Sequence, residues 1–162
     1  MQNDRRTASL DAIDLRILDL LQRDATLPIA QIGERVGLSQ TPCWKRIQRL
    51  EASGVIERRV ALVNPDKVGL GMTVMVAIET GDHSKDWLDR FAETVSGFPE
   101  VMEFYRMAGD IDYLVRVVVA DMPAYDAFYR RLVEAMPLKS VTARFALERI
   151  KTSTVLPIRH TP

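Results

Sequence analysis

The stretch "LSQTPCWKRIQRLEASGVIERR", residues 38–59, decides how the first part of this chain folds. It carries five basic side chains, a tryptophan and the only cysteine of the protein, although the formal net charge of the 162 residues is zero. At 100° per residue, Cys43, Ile47 and Leu50 fall within about 60° of one another, which predicts a buried stripe along a helix. The opposite face of this helix carries polar side chains, namely Thr41, Lys45 and Gln48.

Two further helices are predicted before this one. An apolar stripe over residues 10–21 indicates the first, with Asp14 on its polar face, and the proline of "TLP" ends it. Gly37 is expected to end the second helix, and Ser39 or Thr41 to cap the third. After the third helix the hydrophobic period changes to two, so "VIERRVALVNP" is predicted to form a strand or small ribbon. The order of these elements predicts a winged helix-turn-helix.

A helix that follows another across a tight turn and presents polar side chains is typical of a recognition helix in the major groove of DNA. Lysine and glutamine side chains reach base edges there, while arginines contact phosphates. The predicted DNA-contacting residues are Ser39, Gln40, Thr41, Trp44, Lys45, Arg46, Gln48, Arg49, Arg58 and Arg59. The alternative interpretation is a basic amphipathic helix whose charges are only solvated.

Charge is weakly segregated along the chain. Residues 1–64 hold 10 Lys and Arg against 8 Asp and Glu, and residues 65–162 hold 12 against 14. The positive end of this asymmetry therefore includes the opening stretch. Since 47% of the residues are hydrophobic and 27% are charged, we expect a globular protein.

The composition also limits the possible chemistry. A single cysteine excludes an intramolecular disulfide and a multi-cysteine metal site. Cys43 lies on the inward stripe, which favours packing over a redox-sensing thiol. Neither His83 nor His160 has a credible nucleophile partner, so we expect no catalytic dyad and no enzyme. No apolar run approaches the ~18–20 residues of a membrane span, and the N-terminus lacks an apolar signal core, so we expect a cytoplasmic protein.

The second half of the chain has a different pattern. Strands are predicted at 73–80, at "VMEFYRMAG", at "DYLVRVVVA" and at 141–150, and helices over "SKDWLDRFAETVSGFP" and "DMPAYDAFYRRLVEAMP". This β-α-β-β-α-β order predicts a ferredoxin-like fold, so that the whole chain is of the α+β class. The expected inward stripes of the two helices are Leu88, Phe91 and Val95, and Tyr125, Phe128 and Leu132.

We predict a DNA-binding domain at 1–64, a linker at 65–71 and the ferredoxin-like domain at 72–162. One face of the sheet in this second domain is expected to lack a cover of helices. Met75, Val115 and Val117 are candidates for that face, and their apolar character favours a second copy of the chain as the cover.

The turn "AGDID", residues 108–112, is the strongest candidate for a ligand-binding site in the second half of the chain. Gly109 permits a positive φ angle, and Asp110 and Asp112 are able to accept an ammonium group while turn N–H groups hold a carboxylate. The alternative is an ordinary hairpin turn, for which Gly and Asp are common. A site of two carboxylates for a metal or a sugar is disfavoured because no third ligand is evident.

Two segments together resemble the Lrp/AsnC, or feast/famine, family of amino-acid-responsive bacterial transcription regulators. They are "LDAIDLRILDLLQRDA…IGERVGLSQTPCWKRIQRLEASGVI" and "YRMAGDIDYLVRVVVADM", and the resemblance covers about residues 10–157. The segments "TPCWKR" and "RMAGDIDYL" further resemble a branch of this family that includes a cysteine-sensing regulator.

The resemblance implies a helix-turn-helix domain followed by a regulation-of-amino-acid-metabolism (RAM) domain, and double-stranded DNA as a partner. It also implies a homodimer, an octamer of four dimers, an amino-acid effector bound between dimers with no other cofactor, and a place on the bacterial nucleoid. The implied effector residues are Met107, Ala108, Gly109, Asp110, Asp112, Tyr113, Thr152, Ser153 and Thr154. The runner-up function is an architectural DNA-binding protein that responds to no ligand.

Overall fold

The computed structural model describes residues 10–158, which divide into two compact units. One unit contains the chain up to Ala61 together with the segment from Lys151, and the other contains Leu62–Ile150. The chain therefore leaves the first unit after Ala61 and returns to it at Lys151. The linker predicted at 65–71 begins a few residues after this point, with a short 3-10 helix at Pro65–Val68.

Helices build the first unit: α1 spans Ala12–Arg23, α2 spans Ile29–Val36 and α3 spans Gln40–Ala52. Gly37 ends α2 with a φ angle of 75°, as the sequence predicts, and Ser39 precedes α3 without a side-chain cap bond. The turn between α2 and α3 is tight because the N–H of Leu38 donates to the carbonyl of Gly33 at 2.8 Å. A Cβ atom on Gly33 would lie 2.7 Å from the carbonyl oxygen of Leu38, so a larger residue there forces the turn apart.

Apolar side chains from these helices form the core of the unit. Cys43, Ile47 and Leu50 are buried, which confirms the inward stripe predicted for α3. They pack with Ile17, Leu18, Ile32 and Val36. The helix-turn-helix is therefore held by one shared apolar core rather than by any helix alone.

The prediction of a strand after α3 is wrong. Residues 57–64 have no regular secondary structure, and Val60, Leu62 and Val63 are exposed. The period-2 pattern is genuine, but a strand also needs a second strand to bind its N–H and carbonyl groups. Within residues 10–158 no segment pairs with this stretch.

The second unit has the ferredoxin-like order of elements that the sequence predicts. Its strands and helices are β1 Met72–Glu79, α4 Lys85–Ser96, β2 Val101–Arg106, β3 Tyr113–Val119, α5 Met122–Ala135 and β4 Ser140–Phe145. The described strands form one sheet in the order β2-β3-β1-β4, and every neighbouring pair is antiparallel.

Alternation along β1 and β3 supplies the core of this unit. Val74, Val76 and Ile78 pair with Val117, Val115 and Tyr113, and all six side chains are buried among residues of α4 and α5. Val115 and Val117 therefore do not lie on the open face of the sheet, as the sequence analysis expected. Met75 does lie there and is 37% exposed, because it has the opposite parity on β1.

Two other details differ from the sequence analysis. Trp87, which was not predicted to point inward, is buried and stacks on Phe91 with ring centroids 4.8 Å apart, while the predicted Leu88 is partly buried against the same core. β4 ends at Phe145 rather than at residue 150, and Leu147 and Ile150 beyond it are exposed. The inward stripe of α5, by contrast, is as predicted.

A buried carboxylate joins α1 to α3. Asp14, expected on the polar face of α1, is fully buried and binds Arg46 at 2.8 Å and also Arg49. Asp11 caps α1 by accepting from the N–H of Asp14 and also binds Arg46, at 2.6 Å. These ion pairs set the rotation of α3 against α1.

We expect Asp14→Ala to lower the free energy of unfolding of the first unit by about 2–4 kcal/mol, because it removes the shared partner of two arginines. Urea unfolding followed by the fluorescence of Trp44, in a Trp87→Phe background, measures the change. Arg23→Ala is the control, since the exposed pair of Arg23 with Asp19 is worth only ~0.5 kcal/mol. Equal losses in the two variants would contradict a special role for Asp14.

Candidate functional site

The outward face of α3 is polar and open to solvent. Thr41, Lys45 and Gln48 are exposed, as the helical wheel predicts, and Trp44 is 46% exposed beside them. Ser39 and Gln40 are also exposed at the start of the helix. The structure therefore brings the proposed base-reading residues together on one surface of the first unit.

The arginines of the opening stretch divide into two groups. Arg46 and Arg49 bind Asp14 inside the unit, so part of their charge is neutralised by the protein itself. The pKa of Asp11 lies below its ordinary value, first because its carboxylate accepts the N–H of Asp14 and then because it binds Arg46. Sequence reasoning missed this role because Asp14 lies more than 30 residues before both arginines.

The other basic side chains of residues 38–59 are Lys45, on the outward face of α3, and Arg58 and Arg59, which follow the helix. Arg59 binds Glu51 at 2.8 Å, and the amide nitrogen of Gln48 donates to the same carboxylate at 2.9 Å. Arg58 and Lys45 form no ion pair with any part of the chain between residues 10 and 158. These two cations are therefore the ones most available to an external anion.

In the second unit, the hairpin between β2 and β3 carries the predicted effector turn. Gly109 has a φ angle of 144°, which side-chain-bearing residues rarely adopt, and the turn from Met107 to Asp110 is exposed. The N–H of Met107 donates to the carbonyl of Asp112 at 2.8 Å and closes the turn. Within the described chain, the N–H groups of residues 108–111 and the carboxylate of Asp110 have no hydrogen-bond partner.

Asp112 differs from Asp110. One carboxylate oxygen of Asp112 accepts the N–H of Thr80 at 2.7 Å, and its own N–H donates to the carbonyl of Ile78 at 3.0 Å. The antiparallel pairing of β1 with β3 explains this geometry, since it brings the end of β1 beside the start of β3. Asp112 therefore links the turn to the loop that follows β1.

That loop, residues 80–84, was not among the residues singled out from the sequence. Thr80 is buried, and its hydroxyl donates to the carbonyl of Asp82 at 3.0 Å. The carboxylate of Asp82 accepts the N–H of Ser84, and this bond lowers the pKa of Asp82. His83 is exposed, with Nδ1 3.9 Å from Oδ1 of Asp112. An antiparallel pairing of the first and third predicted strands could have identified this loop, because it places "TGDHS" beside "AGDID".

The remaining predicted effector residues lie elsewhere. Tyr113 is 4% exposed, and its ring packs in the core against Phe91 and Phe104 with centroids 5.0 and 5.2 Å away. Burial raises the pKa of the Tyr113 hydroxyl. Thr152, Ser153 and Thr154 are exposed and belong to the first unit, in the segment that returns to it.

That returning segment is attached to α1. The N–H of Leu156 donates to the side-chain oxygen of Gln22 at 2.7 Å, and Ile158 packs against the core of the helices. His160 lies outside the described residues. Among those that are described, no cluster of three His, Cys, Asp or Glu side chains is arranged to hold a metal ion, and no helix is long and apolar enough to cross a bilayer.

Comparison with known proteins gives two matching family models. The AsnC-type helix-turn-helix domain matches residues 10–51, and the Lrp/AsnC ligand binding domain matches residues 73–156. The first matched range contains the α3 surface, and the second contains the β2–β3 turn.

Individual proteins are similar over nearly the full chain. The glutamate uptake regulatory protein of Zymomonas mobilis is 52% identical over 152 residues, covering 94% of this chain and 93% of that protein. The DNA-binding transcriptional activator DecR of Escherichia coli K12 is 53% identical over 150 residues, covering 92% of this chain and 99% of that protein. A transcriptional regulator of Neisseria meningitidis in complex with L-methionine is 33% identical with a TM-score of 0.88, covering 94% of this chain and 99% of that one.

The thiol of Cys43 provides a test of the packing interpretation. Cys43 is fully buried, and burial raises the pKa of its thiol, so little reactive thiolate forms near neutral pH. We expect iodoacetamide to leave the native protein unmodified and to alkylate it fully in guanidinium chloride, as read by intact mass. Rapid alkylation of the native protein would instead favour a redox-sensing thiol.

Proposed function

Because the chain belongs to the Lrp/AsnC family of transcription regulators, we propose that it reads a specific DNA sequence with the outward face of α3 and answers to an amino acid held at the β2–β3 turn. The observation that carries this proposal is the set of unpaired polar groups in the described β2–β3 turn. It combines N–H groups at residues 108–111 with the carboxylate of Asp110, none of which has a hydrogen-bond partner within residues 10–158. An α-amino acid needs donors for its carboxylate and an acceptor for its ammonium group, and the turn offers both.

The residues proposed for DNA binding are assigned by their surroundings. Lys45, Gln48 and Thr41 are assigned to base edges because they are exposed on one face of α3. Arg58 is assigned to phosphate because it is a free cation, and Arg59 with it because it lies next in the chain. Arg46 and Arg49 remain proposed phosphate contacts through whatever charge their pairs with Asp14 leave exposed.

The proposed organisation is that residues 1–64 bind DNA, residues 65–71 link, and residues 72–162 bind the effector and form the oligomer, with the difference that the segment from Lys151 belongs to the first compact unit. The open face of the sheet supports a homodimer, since it exposes Met75 and Tyr105 beside the Glu103–Arg116 pair. We propose an octamer of four such dimers, located in the bacterial cytoplasm on the nucleoid. No catalytic role is proposed, and no cofactor other than the amino-acid effector.

The effector is proposed to be a small amino acid. The similar Neisseria meningitidis regulator was solved with L-methionine, and the similar Zymomonas mobilis protein is named for glutamate uptake. Cysteine stays in the set because of the branch that the sequence resembles. Thr152, Ser153 and Thr154 are proposed as further contacts, and Tyr113 as support for the turn from within the core.

The DNA surface is tested by comparing Lys45→Ala with Arg58→Ala on a duplex selected from a random pool and on unselected duplex. We expect Lys45→Ala to weaken the selected duplex by about 1–3 kcal/mol more than the unselected one, because it removes a base contact. Arg58→Ala should weaken both equally and lower the salt slope by about 1. Titrations by fluorescence anisotropy at several salt concentrations measure both effects.

Arg23→Ala is the matched control for loss of a surface arginine, since Arg23 pairs on α1 with Asp19. Equal losses on selected and unselected duplexes for Lys45→Ala would remove that residue from base reading.

The effector is tested by titrating single amino acids, including cysteine, methionine and glutamate, against the purified protein. A ligand that binds only the folded state at 100 times its Kd adds about 2.7 kcal/mol, so one of them should raise Tm clearly. The same amino acid should change the affinity for the selected duplex by roughly 5–150-fold. If no amino acid raises Tm while DNA binding persists, the protein is an architectural DNA-binding protein instead.

A further inference from the structure

The two carboxylates of the β2–β3 turn are in different chemical situations. Asp110 is exposed and, within residues 10–158, binds nothing. Asp112 is held on three sides: its carbonyl accepts from Met107, its N–H donates to Ile78 and its Oδ2 accepts from Thr80. Its second carboxylate oxygen, Oδ1, lies 3.9 Å from Nδ1 of His83, and the side chain of Asp112 is 32% exposed.

The bond to Thr80 matters because the residue that receives it is buried. Thr80 is 4% exposed, so its N–H has no ready access to water if the carboxylate is removed. Thr80 also holds the loop by its hydroxyl, which donates to the carbonyl of Asp82 and accepts the N–H of the same residue. Asp82 in turn receives the N–H of Ser84, the residue that precedes α4. A hydrogen-bonded chain thus runs from Asp112 to the beginning of α4.

Two basic side chains lie near Asp112. His83 lies on the held loop, with Nδ1 3.9 Å from the carboxylate. Lys139, in the connection that leads to β4, binds Glu79 at 2.9 Å, and its pKa is raised first by that hydrogen bond and more weakly by the charge of Asp112. Asp110, by contrast, forms no ion pair with any residue between positions 10 and 158.

We propose that Asp112 is a positioning residue that holds the 80–84 loop against the turn, and that Asp110 is the carboxylate which receives the ammonium group of the effector. This inference rests on the proposed function, since it assigns roles within the same site. The 80–84 loop then forms a second wall of the site. What the site requires at position 112 is a hydrogen-bond acceptor, whereas at position 110 it requires a negative charge.

Asparagine substitutions separate an acceptor from a charge. Asp112→Asn keeps an oxygen that accepts from Thr80 but loses the charge, whereas Asp112→Ala loses both. We expect Asp112→Asn to bind the amino acid within about threefold of the unchanged protein, and Asp112→Ala and Asp110→Asn to bind at least ~10-fold more weakly. Isothermal titration with the amino acid that raises Tm measures the Kd values. Asp89→Asn, on the exposed surface of α4, is the matched control for loss of one surface charge.

A second measurement reports directly on the hydrogen bond between the Thr80 N–H and the Asp112 carboxylate. Hydrogen exchange at the Thr80 amide should be slow in the unchanged protein and in Asp112→Asn, and fast in Asp112→Ala. Should the alanine variant fail to fold, the Asp112→Asn and Asp110→Asn variants decide the question without it.

The outcomes that overturn the inference are specific. If Asp112→Asn loses as much affinity as Asp110→Asn, the charge of Asp112 itself binds the effector. If Asp110→Asn binds as tightly as the unchanged protein, Asp110 is not the receiving group. In both cases the unchanged protein still binds the amino acid, and this distinguishes a failure of the inference from a failure of the proposed function.

Discussion

The carboxylate of Asp14 is the group on which the arrangement of the first unit depends. A buried charge is tolerated only when it is paired and hydrogen-bonded, and Asp14 meets this condition by binding Arg46 and Arg49 of α3. The pairing turns one side of α3 toward α1. The opposite side, with Thr41, Lys45 and Gln48, therefore faces solvent and is free to meet DNA.

Asp112 has a comparable part in the second unit. It ends the turn between β2 and β3 and binds the loop that follows β1, so two segments far apart in the sequence meet at one end of the central strands. In each unit a carboxylate therefore joins segments that are far apart in the sequence. Two exposed charges, Lys45 in the first unit and Asp110 in the second, form no ion pair within residues 10–158 and are available to a partner.

Much of the fold was predictable because it follows from periodicity. The stripe of Cys43, Ile47 and Leu50 and the order of strands and helices were correct, since burial follows the 3.6- and 2-residue periods. The strand predicted after α3 was wrong because a strand depends on a partner as well as on its own pattern. For α4, Trp87 and Leu88 are adjacent and both apolar, so only tertiary packing decides that Trp87 is buried and Leu88 partly buried.

The sequence by itself determined the family, the two kinds of domain, the outward face of α3 and the position of the "AGDID" turn, because each depends on residues close together in the chain. Only the tertiary structure decided that Arg46 and Arg49 serve Asp14, that Tyr113 belongs to the core, and that Thr80 holds Asp112. Those contacts join residues about 30 positions apart, or set the direction of a single ring. No local pattern encodes them, since they exist only after the helices and strands have packed.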